Sequence, residues 1–446
     1  MGSLKESLSV EVCDSGALEI RVADQRVSNA YRLDDRQHAA WLDLFRAIAS
    51  DFGTRLPRNR ERFDAPPADA RIQPLLTYNI HPRIRDGYGD PAVLRTGEAW
   101  HLVATSNDAP DAFPILRSPD LKKWNLTGFV FPRGEAPSWM ITAENLADYW
   151  APELHKVGRG YLLCFTARNS DRELCIGLAR ADHPEGPFVA DPEPLLTGGV
   201  IDPHLFVRED GSALLFWKED SNAVWPRRLA VLLLEEPELI EHLFDNETDR
   251  RTAALCAGLW RWARTATPME QFFSLQPLIE AVVALYVEVS ARLDSHPEVI
   301  AAMRTPVFAQ ALSPDGRTLV GERTTVLVND LAWEGHLIEG NYVTRQNGRY
   351  YLFYSGNDFS TPDYGIGVAI ADDPLGPYVK MPEPLLHSSR DWWGPGHPSV
   401  APGPDGVPRL FFHAFPAGTG GYKAFRALLS ARLAFHPEWV EVLPPQ

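Results

Sequence analysis

Clusters of lysine and arginine are missing from this sequence: 59 acidic residues outnumber 43 basic ones and leave a formal charge of -16 over 446 residues. A nucleic acid or an anionic membrane surface is bound by neutralising its phosphates, so neither is expected as a partner. Long apolar runs are missing as well. The most apolar stretch, "AVVALYVEV" from Ala281, is held between Glu280 and Glu288 and falls far short of the ~20 residues that cross a bilayer. Cysteine is scarce. Cys13, Cys164, Cys175 and Cys256 show no CxxC and no Cys/His ligand spacing, which leaves reduced thiols rather than a metal ribbon or a disulfide framework. The opening residues lack a basic segment followed by an apolar one, so no signal peptide is expected and the predicted location is cytoplasmic.

What the sequence has is aromatic residues and a repeat. It carries 13 Trp, and indole faces serve either as core or as flat apolar walls for sugars and bases. Five stretches share one pattern: "GDPAVLRTGEAWHLVATS" at Gly89, "WAPELHKVGRGYLLCFTA" at Trp150, "IDPHLFVREDGSALLFWK" at Ile201, "EGNYVTRQNGRYYLFYSG" at Glu339 and "GHPSVAPGPDGVPRLFFHAF" at Gly396. Each places an ionisable residue before an alternating strand, a turn with glycine and a second strand of aromatic and β-branched residues, which is the pattern of a hairpin. A second echo, "ARADHPEGPFVADPEPLL" at Ala179 and "AIADDPLGPYVKMPEPLL" at Ala369, follows two of these hairpins and supplies further strands.

The leading residues, Asp90, Glu153, Asp202, Glu339 and His397, are about 63, 49, 137 and 58 residues apart, so one interval is too long for a period near 55. That interval holds the stretch 225–303, rich in Leu, Ala, Glu and Arg, with apolar residues at three- and four-residue steps, as in a helix. The expected fold is therefore an all-β five-bladed β-propeller with a helical insertion in blade 3 and a small N-terminal α+β extension. Its expected divisions are 1–74 for the extension, 75–224 for the first blades, 225–303 for the insertion and 304–446 for the rest. In the extension, "LSVEV" and "ALEIRVADQRV" read as two strands and "DRQHAAWLDLFRAIASDF" as an amphipathic helix. The extension is expected to be a small packing appendage or dimerisation element, and the insertion either a lid or wall that narrows the pocket or a surface for a partner subunit.

Innermost strands line the axis of a propeller, so the five leading residues should meet at one mouth of the channel. Carboxyls gathered there suit glycosidic bond cleavage, in which one protonates the leaving oxygen and another activates water or attacks the sugar. A third acid would raise the donor's pKa by repulsion. On "NIHPRIRDGYGDPAVL", "WAPEL", "IDPHLFVREDG", "EGNYVTRQNGRYYLFYSG" and "GPGHPSV", the chain resembles glycoside hydrolase family 43 from about Leu75 to Arg432, the insertion excluded.

The resemblance implies an inverting mechanism with Asp90 as general base, Asp202 as the acid that tunes and orients, and Glu339 as general acid. It also places His397 at the channel, where relatives often hold a calcium ion or water, so a structural calcium is implied beside His397 and no cofactor for the chemistry. Asn341 departs from the family, which has a small residue or proline there. Glu334 is the rival to Glu339 and does not head the hairpin. Glu153 is a substrate-binding or supporting residue, and Trp150, Trp333, Trp392 and Trp393 are candidate sugar platforms because each flanks a channel motif. The expected substrate is a short oligosaccharide or small glycoside carrying a terminal pentose, β-D-xylosyl or α-L-arabinofuranosyl. The alternative is a non-catalytic carbohydrate-binding propeller whose helices form the interaction surface. A retaining β-fructosidase shares the architecture but not the Asn-Asp-Pro, Arg-Asp-Pro and Glu-Cys motifs, which are absent here.

Overall fold

The computed structural model of the protein describes residues 8–23, 28–56, 66–142, 147–421 and 423–445. The first seven residues, part of the stretch read for a leader, lie outside them. Two compact units result, one from Met1–Asn59 with Ser221–Arg304 and one from Arg60–Asp220 with Thr305–Gln446.

In the first unit, β1 (Leu8–Val12), β2 (Leu18–Ala23) and β3 (Ser28–Leu33) form an antiparallel meander and α1 (His38–Phe52) follows. The extension thus holds three strands where two were expected, because "SNAYRL" pairs with β2 from Leu18↔Leu33 to Ala23↔Ser28 despite its polar composition. Six helices complete the unit: α2 (Val224–Glu235), α3 (Leu239–Leu243), α4 (Glu247–Ala263), α5 (Pro268–Val283), α6 (Tyr286–Arg292) and α7 (Pro297–Met303). The stripe Trp41, Phe45, Ile48 and Phe52 of α1 shares a core with Leu18, Ile20 and Val22 of β2 and with Leu255 and Leu259 of α4. Each is almost fully buried and contributes roughly 1.5–3 kcal/mol in transfer terms. Extension and helical segment, read as separate pieces, therefore pack as one body around this shared core. No single described helix is long and apolar enough to cross a membrane.

The second unit is mostly β. It opens with β4 (Gln73–Leu76) and continues in five antiparallel sheets: β5 (Ala92–Thr96) to β8 (Asn125–Phe131), β9 (Trp150–Val157) to β12 (Val189–Ala190), β13 (Val200–Val207) to β16 (Leu319–Leu327), β17 (Ile338–Gln346) to β20 (Val379–Lys380), and β21 (Trp392–Pro402) to β24 (Val440–Leu443). In the third sheet β14 (Ala213–Glu219) precedes the six helices and β15 (Val307–Leu312) follows them. The first strands touch in a cycle, β5 with β9, β9 with β13, β13 with β17, β17 with β21 and β21 with β5, which is the closed ring of a five-bladed propeller. The ring is fastened by β4, which pairs with β23 (Ala427–Phe435) and joins the start of this unit to its last sheet. The second sequence echo also has one structure, since Ile176 bridges Leu196 in the second sheet and Ile366 bridges Leu386 in the fourth.

At the channel each first strand has a kink. Asp90, Ala151, Asp202, Gly340 and His397 all have positive φ, between 45° and 60°, a conformation that costs a non-glycine residue ~1–2 kcal/mol. Four kinks are followed by proline (Pro91, Pro152, Pro203 and Pro398), the fourth blade instead by Asn341. The neighbouring blade anchors them. Ala151 N–H donates to Thr105 Oγ1 at 2.8 Å, Asp202 N–H to Thr166 Oγ1 at 3.2 Å, His397 N–H to Ser355 Oγ at 2.8 Å, and Asp90 N–H to His413 Nδ1 at 3.1 Å. This register corrects the sequence alignment: the counterparts of Asp90, Asp202 and His397 are Ala151 and Gly340, so Glu153 lies two residues past its kink and Glu339 one before.

Asn341 is 2% exposed, and neither amide atom has a hydrogen-bond partner among the described residues. Proline fills that place after the same positive-φ residue in the other four blades. Asn341→Pro is therefore expected to stabilise the protein, by about 0.4–1 kcal/mol from the stiffened unfolded chain and further by removing an unpaired buried amide. Thermal unfolding followed by circular dichroism checks this, and an unchanged or lower midpoint counts against it.

Candidate active site

The kinks bring Asp90, Asp202 and His397 to one level of the channel, with Glu339 directly before the fourth kink. His397 Nδ1 lies 3.5 Å from Asp90 Oδ1. Asp202 Oδ2 accepts from the Gly340 N–H at 2.8 Å, which ties it to the peptide that follows Glu339. Three acids from the first, third and fourth blades thus share one small region.

Each acid has a different setting. Asp90 Oδ1 accepts from Arg426 Nη1 at 2.7 Å, and Oδ2 accepts from the Thr105 hydroxyl. Burial alone would raise its pKa, but Arg426, His397, His413 and Thr105 outweigh burial and hold the carboxyl well below the usual range. Asp202 is pushed upward, by burial first and by the Asp90 charge, against the pull of His397 and Lys218. Glu339 rises to about 7, through burial first and then repulsion from Asp202 and Asp358, with Lys218 and the Tyr364 hydroxyl opposing. Tyr364 donates to Glu339 Oε1 at 2.9 Å, and Lys218 Nζ stands 3.7 Å from Oε2. One carboxylate is therefore ionised and another protonated in mildly acidic water, the separation that acid–base work requires.

Arg426, Tyr364, Lys218, His413 and Thr105 escaped the sequence analysis. Arg426 lies on the approach to β23 and reaches Asp90 only when the ring closes, so no local pattern announces it. Glycines are the indirect signals of Arg426 and Tyr364: a Cβ on Gly89 would fall 1.9 Å from Arg426 Cζ, and one on Gly396 would fall 1.9 Å from Tyr364 Cε1. Lys218 and His413 stand on second strands, and Thr105 just past the end of one, opposite the residue before the kink, a place readable from hairpin register.

Glu153 does not join this group. Its Oε2 accepts from His204 Nδ1 at 2.6 Å and from His155 Nε2 at 2.8 Å, while the Val343 N–H donates to His204 Nε2 at 2.9 Å and so places that ring's proton on Nδ1. Burial pushes the Glu153 carboxyl up, yet the two imidazoles hold it at about 2. Its role is to hold neighbouring blades together, and substrate contact is not what its position offers. Glu153, His155 and Cys164 are the one group of metal-ligand type found among the described residues, and within it Glu153 Oε2 already accepts from two imidazoles, one of them that of His155.

The tryptophans part company. Trp150 sits at the ring position that Glu339 takes in the fourth blade, is partly exposed, and has its Nε1–H fixed by Asn107 Oδ1 at 3.1 Å, so it stays a candidate platform. Trp393 is 6% exposed and presents no free face. Trp333 stacks on Tyr354 with centroids 5.8 Å apart, and Trp392 packs against the core between the fourth and fifth sheets. Trp393 is thus a packing residue, while Trp333 and Trp392 remain partly exposed beside these packing contacts. Glu334 is fully buried and taken up by the Tyr354 hydroxyl at 2.6 Å, by Lys380 and by the Asp330 and Leu331 N–H groups, away from the acids.

A calcium beside His397 finds a poor donor set. His397 offers nitrogen, and both oxygens of Asp90 are engaged by Arg426 and Thr105, whereas calcium takes six to eight oxygens.

The model of the family described as glycosyl hydrolases family 43 matches residues 81–242 and 297–440. The stretch it passes over contains α4, α5 and α6. A xylosidase/arabinosidase 43A of Humicola insolens is 44% identical over 68 residues, 15% of this chain and 21% of that protein. A beta-xylosidase of Xylanibacter ruminicola is 24% identical over 227 residues, 51% of this chain and 53% of that protein. The chain spans between about a fifth and about half the length of these curated relatives. Among solved structures, a thermostable family-43 glycoside hydrolase is 25% identical with a TM-score of 0.58, covering 81% of this chain and 94% of that one. The xylan beta-1,4-xylosidase from Bacillus halodurans C-125, 17% identical with a TM-score of 0.54 over 81% of this chain and 56% of that one, is alike in fold.

The electrostatics predict one carboxyl that titrates near 7 in the ligand-free protein. Carbon-13 NMR of side-chain carboxyls should show such a resonance, and Glu339→Gln should delete it. A Glu339 signal that titrates in the ordinary glutamate range would contradict the described setting.

Proposed function

Because the chain belongs to family 43 of the glycosyl hydrolases, we propose that it is a glycosidase that removes terminal pentose residues, β-D-xylosyl or α-L-arabinofuranosyl, from short oligosaccharides with inversion. The observation that carries this reading is the opposed setting of two carboxyls in one channel, Asp90 held ionised by Arg426 and Glu339 kept protonated up to about 7. Similarity to a xylosidase/arabinosidase and to a beta-xylosidase supports the sugar class.

In this mechanism Glu339 gives its proton to the glycosidic oxygen as the bond to the anomeric carbon breaks. Asp90 takes a proton from a water that attacks the opposite face, so the oxygen of water ends on the anomeric carbon with inverted configuration. The Tyr364 hydroxyl steadies the acid through Oε1. Asp202, fixed by the Gly340 amide, adds the negative field that keeps Glu339 from losing its proton early. Trp150 offers a flat wall beside the reacting sugar.

Nitrophenyl β-D-xyloside and α-L-arabinofuranoside test the activity, and hydrolysis of neither would favour a carbohydrate binder instead. Asp90→Asn and Glu339→Gln should each lower kcat about 100- to 10,000-fold, and near-normal turnover in either variant would remove it from its role. Proton NMR should show the inverted anomer first. In the pH profile of kcat/KM, activity should fall as pH rises through about 7, where Glu339 loses the proton it must donate. The acid limb should lie below the ordinary aspartate range, because Asp90 must be ionised to act and its pKa is depressed. A profile that rises through pH 7 would sink the assignment of the acid.

A further inference from the structure

The anchoring ring has one exception. In four blades the residue across from the one that precedes the kink is a hydrogen-bond acceptor, Thr105, Thr166, Ser355 or His413, and it receives the kink N–H of the next blade. In the third blade that place belongs to Lys218, paired with Ile201 across the hairpin. Its side chain is 0% exposed. A protonated amine has no lone pair to offer, so the Gly340 N–H cannot be received there. It goes to Asp202 Oδ2 at 2.8 Å, while Lys218 Nζ stands 3.7 Å from Glu339 Oε2. The kink left without a second-strand acceptor is also the one built from glycine, the residue for which positive φ costs least.

We infer that Lys218 is a positioning residue of the acid: by occupying a ring place held elsewhere by hydroxyls or imidazole, it hands the Gly340 amide to Asp202 and sets a buried cation against Glu339. This rests on the reading of Glu339 as general acid. The groups that face Glu339 are Lys218 from β14, Asp202 from β13, Tyr364 from the start of β19 (Gly365–Ala371) and Asp358 from the turn that precedes it. Lys218 is the cation among them. Asp202 and Asp358 push the proton on and Lys218 pulls it off, so the acid stays protonated without becoming too weak to donate. The same substitution of lysine for hydroxyl thus serves both carboxyls, fixing one by a redirected hydrogen bond and tempering the other by charge.

Lys218→Thr restores the residue of the first two blades, Lys218→Met removes the charge without supplying an acceptor, and Lys218→Arg keeps the charge. Removing a cation beside a carboxyl raises its pKa. The alkaline limb of kcat/KM should therefore move upward by about 1–3 pH units in the Thr and Met variants, kcat on a xylo-oligosaccharide should drop, and the Arg variant should keep the limb near its original place. Circular dichroism melts identify any variant that fails to fold, and the other two then decide. The carbon-13 titration of Glu339 in the ligand-free protein gives a second readout that needs no activity. If the unaltered protein hydrolyses no pentoside, the functional reading falls while the titration still tests Lys218. If it does hydrolyse one, but neither Thr nor Met moves the limb or the Glu339 titration, the inference about Lys218 is overturned.

Discussion

Everything at the channel depends on a backbone conformation that four of five residues adopt against their own preference. A positive φ at Asp90, Ala151, Asp202 and His397 is unfavourable for an L-residue with a Cβ. It persists because each kink N–H is held by a side chain of the preceding blade, with the first blade held by the fifth. Closure of the ring and geometry of the site are therefore the same device. Where the kink falls, strand register slips, as it does past Ile201, past Glu339 and on either side of Gly396. Such an irregularity re-aims side chains, and the acids stand where it occurs.

Much of this was legible because hairpins obey local rules. Alternating strands, glycine turns and the long third interval marked five sheets and the helices, and the Asp-Pro and His-Pro pairs marked three kinks. The error lay in aligning copies on charge. The kink is marked by the proline that follows it, so Ala151 and not Glu153 is the second blade's counterpart of Asp90. Glu153 looks like a fifth site residue only until its two imidazole partners are seen. Trp333, Trp392 and Trp393 show the same limit, because proximity in sequence does not say which way an indole turns. Arg426 was beyond reach for a different reason. It meets Asp90 across 336 residues, and only closure of the ring makes that contact.

The helical unit was misjudged by the same logic of locality. An amphipathic helix near the start and a helical stretch 170 or so residues later each show an apolar stripe, and neither stripe says what covers it. The structure pairs them: Trp41, Phe45 and Ile48 of α1 lie in one core with Leu255 and Leu259 of α4. Arg55 adds a two-pronged pair with the buried Asp249, its Nε and Nη2 at 2.9 and 3.1 Å from the two carboxylate oxygens. Stripes that would each be a liability alone satisfy one another, and a segment with no evident relation to the repeats becomes half of a core.

Three carboxyls at close range repel one another, and a scaffold without a task would be expected to avoid the grouping. Here the repulsion is apportioned. Arg426 lies at the Asp90 end and buried Lys218 at the Glu339 end, with Asp202 between them. The stronger compensation at Asp90, a 2.7 Å guanidinium contact with two imidazoles close by, takes that acid down. The longer contact at Glu339, 3.7 Å from a single amine, leaves burial and Asp202 free to take the other up. Placing cations of unequal reach at the two ends of a row of like charges is enough to leave one member ionised and another protonated. Lys218 holds an anchor place of the ring while Arg426 reaches in from the approach to β23, so the chemical polarity of the site is encoded in these neighbours as much as in the carboxyls themselves.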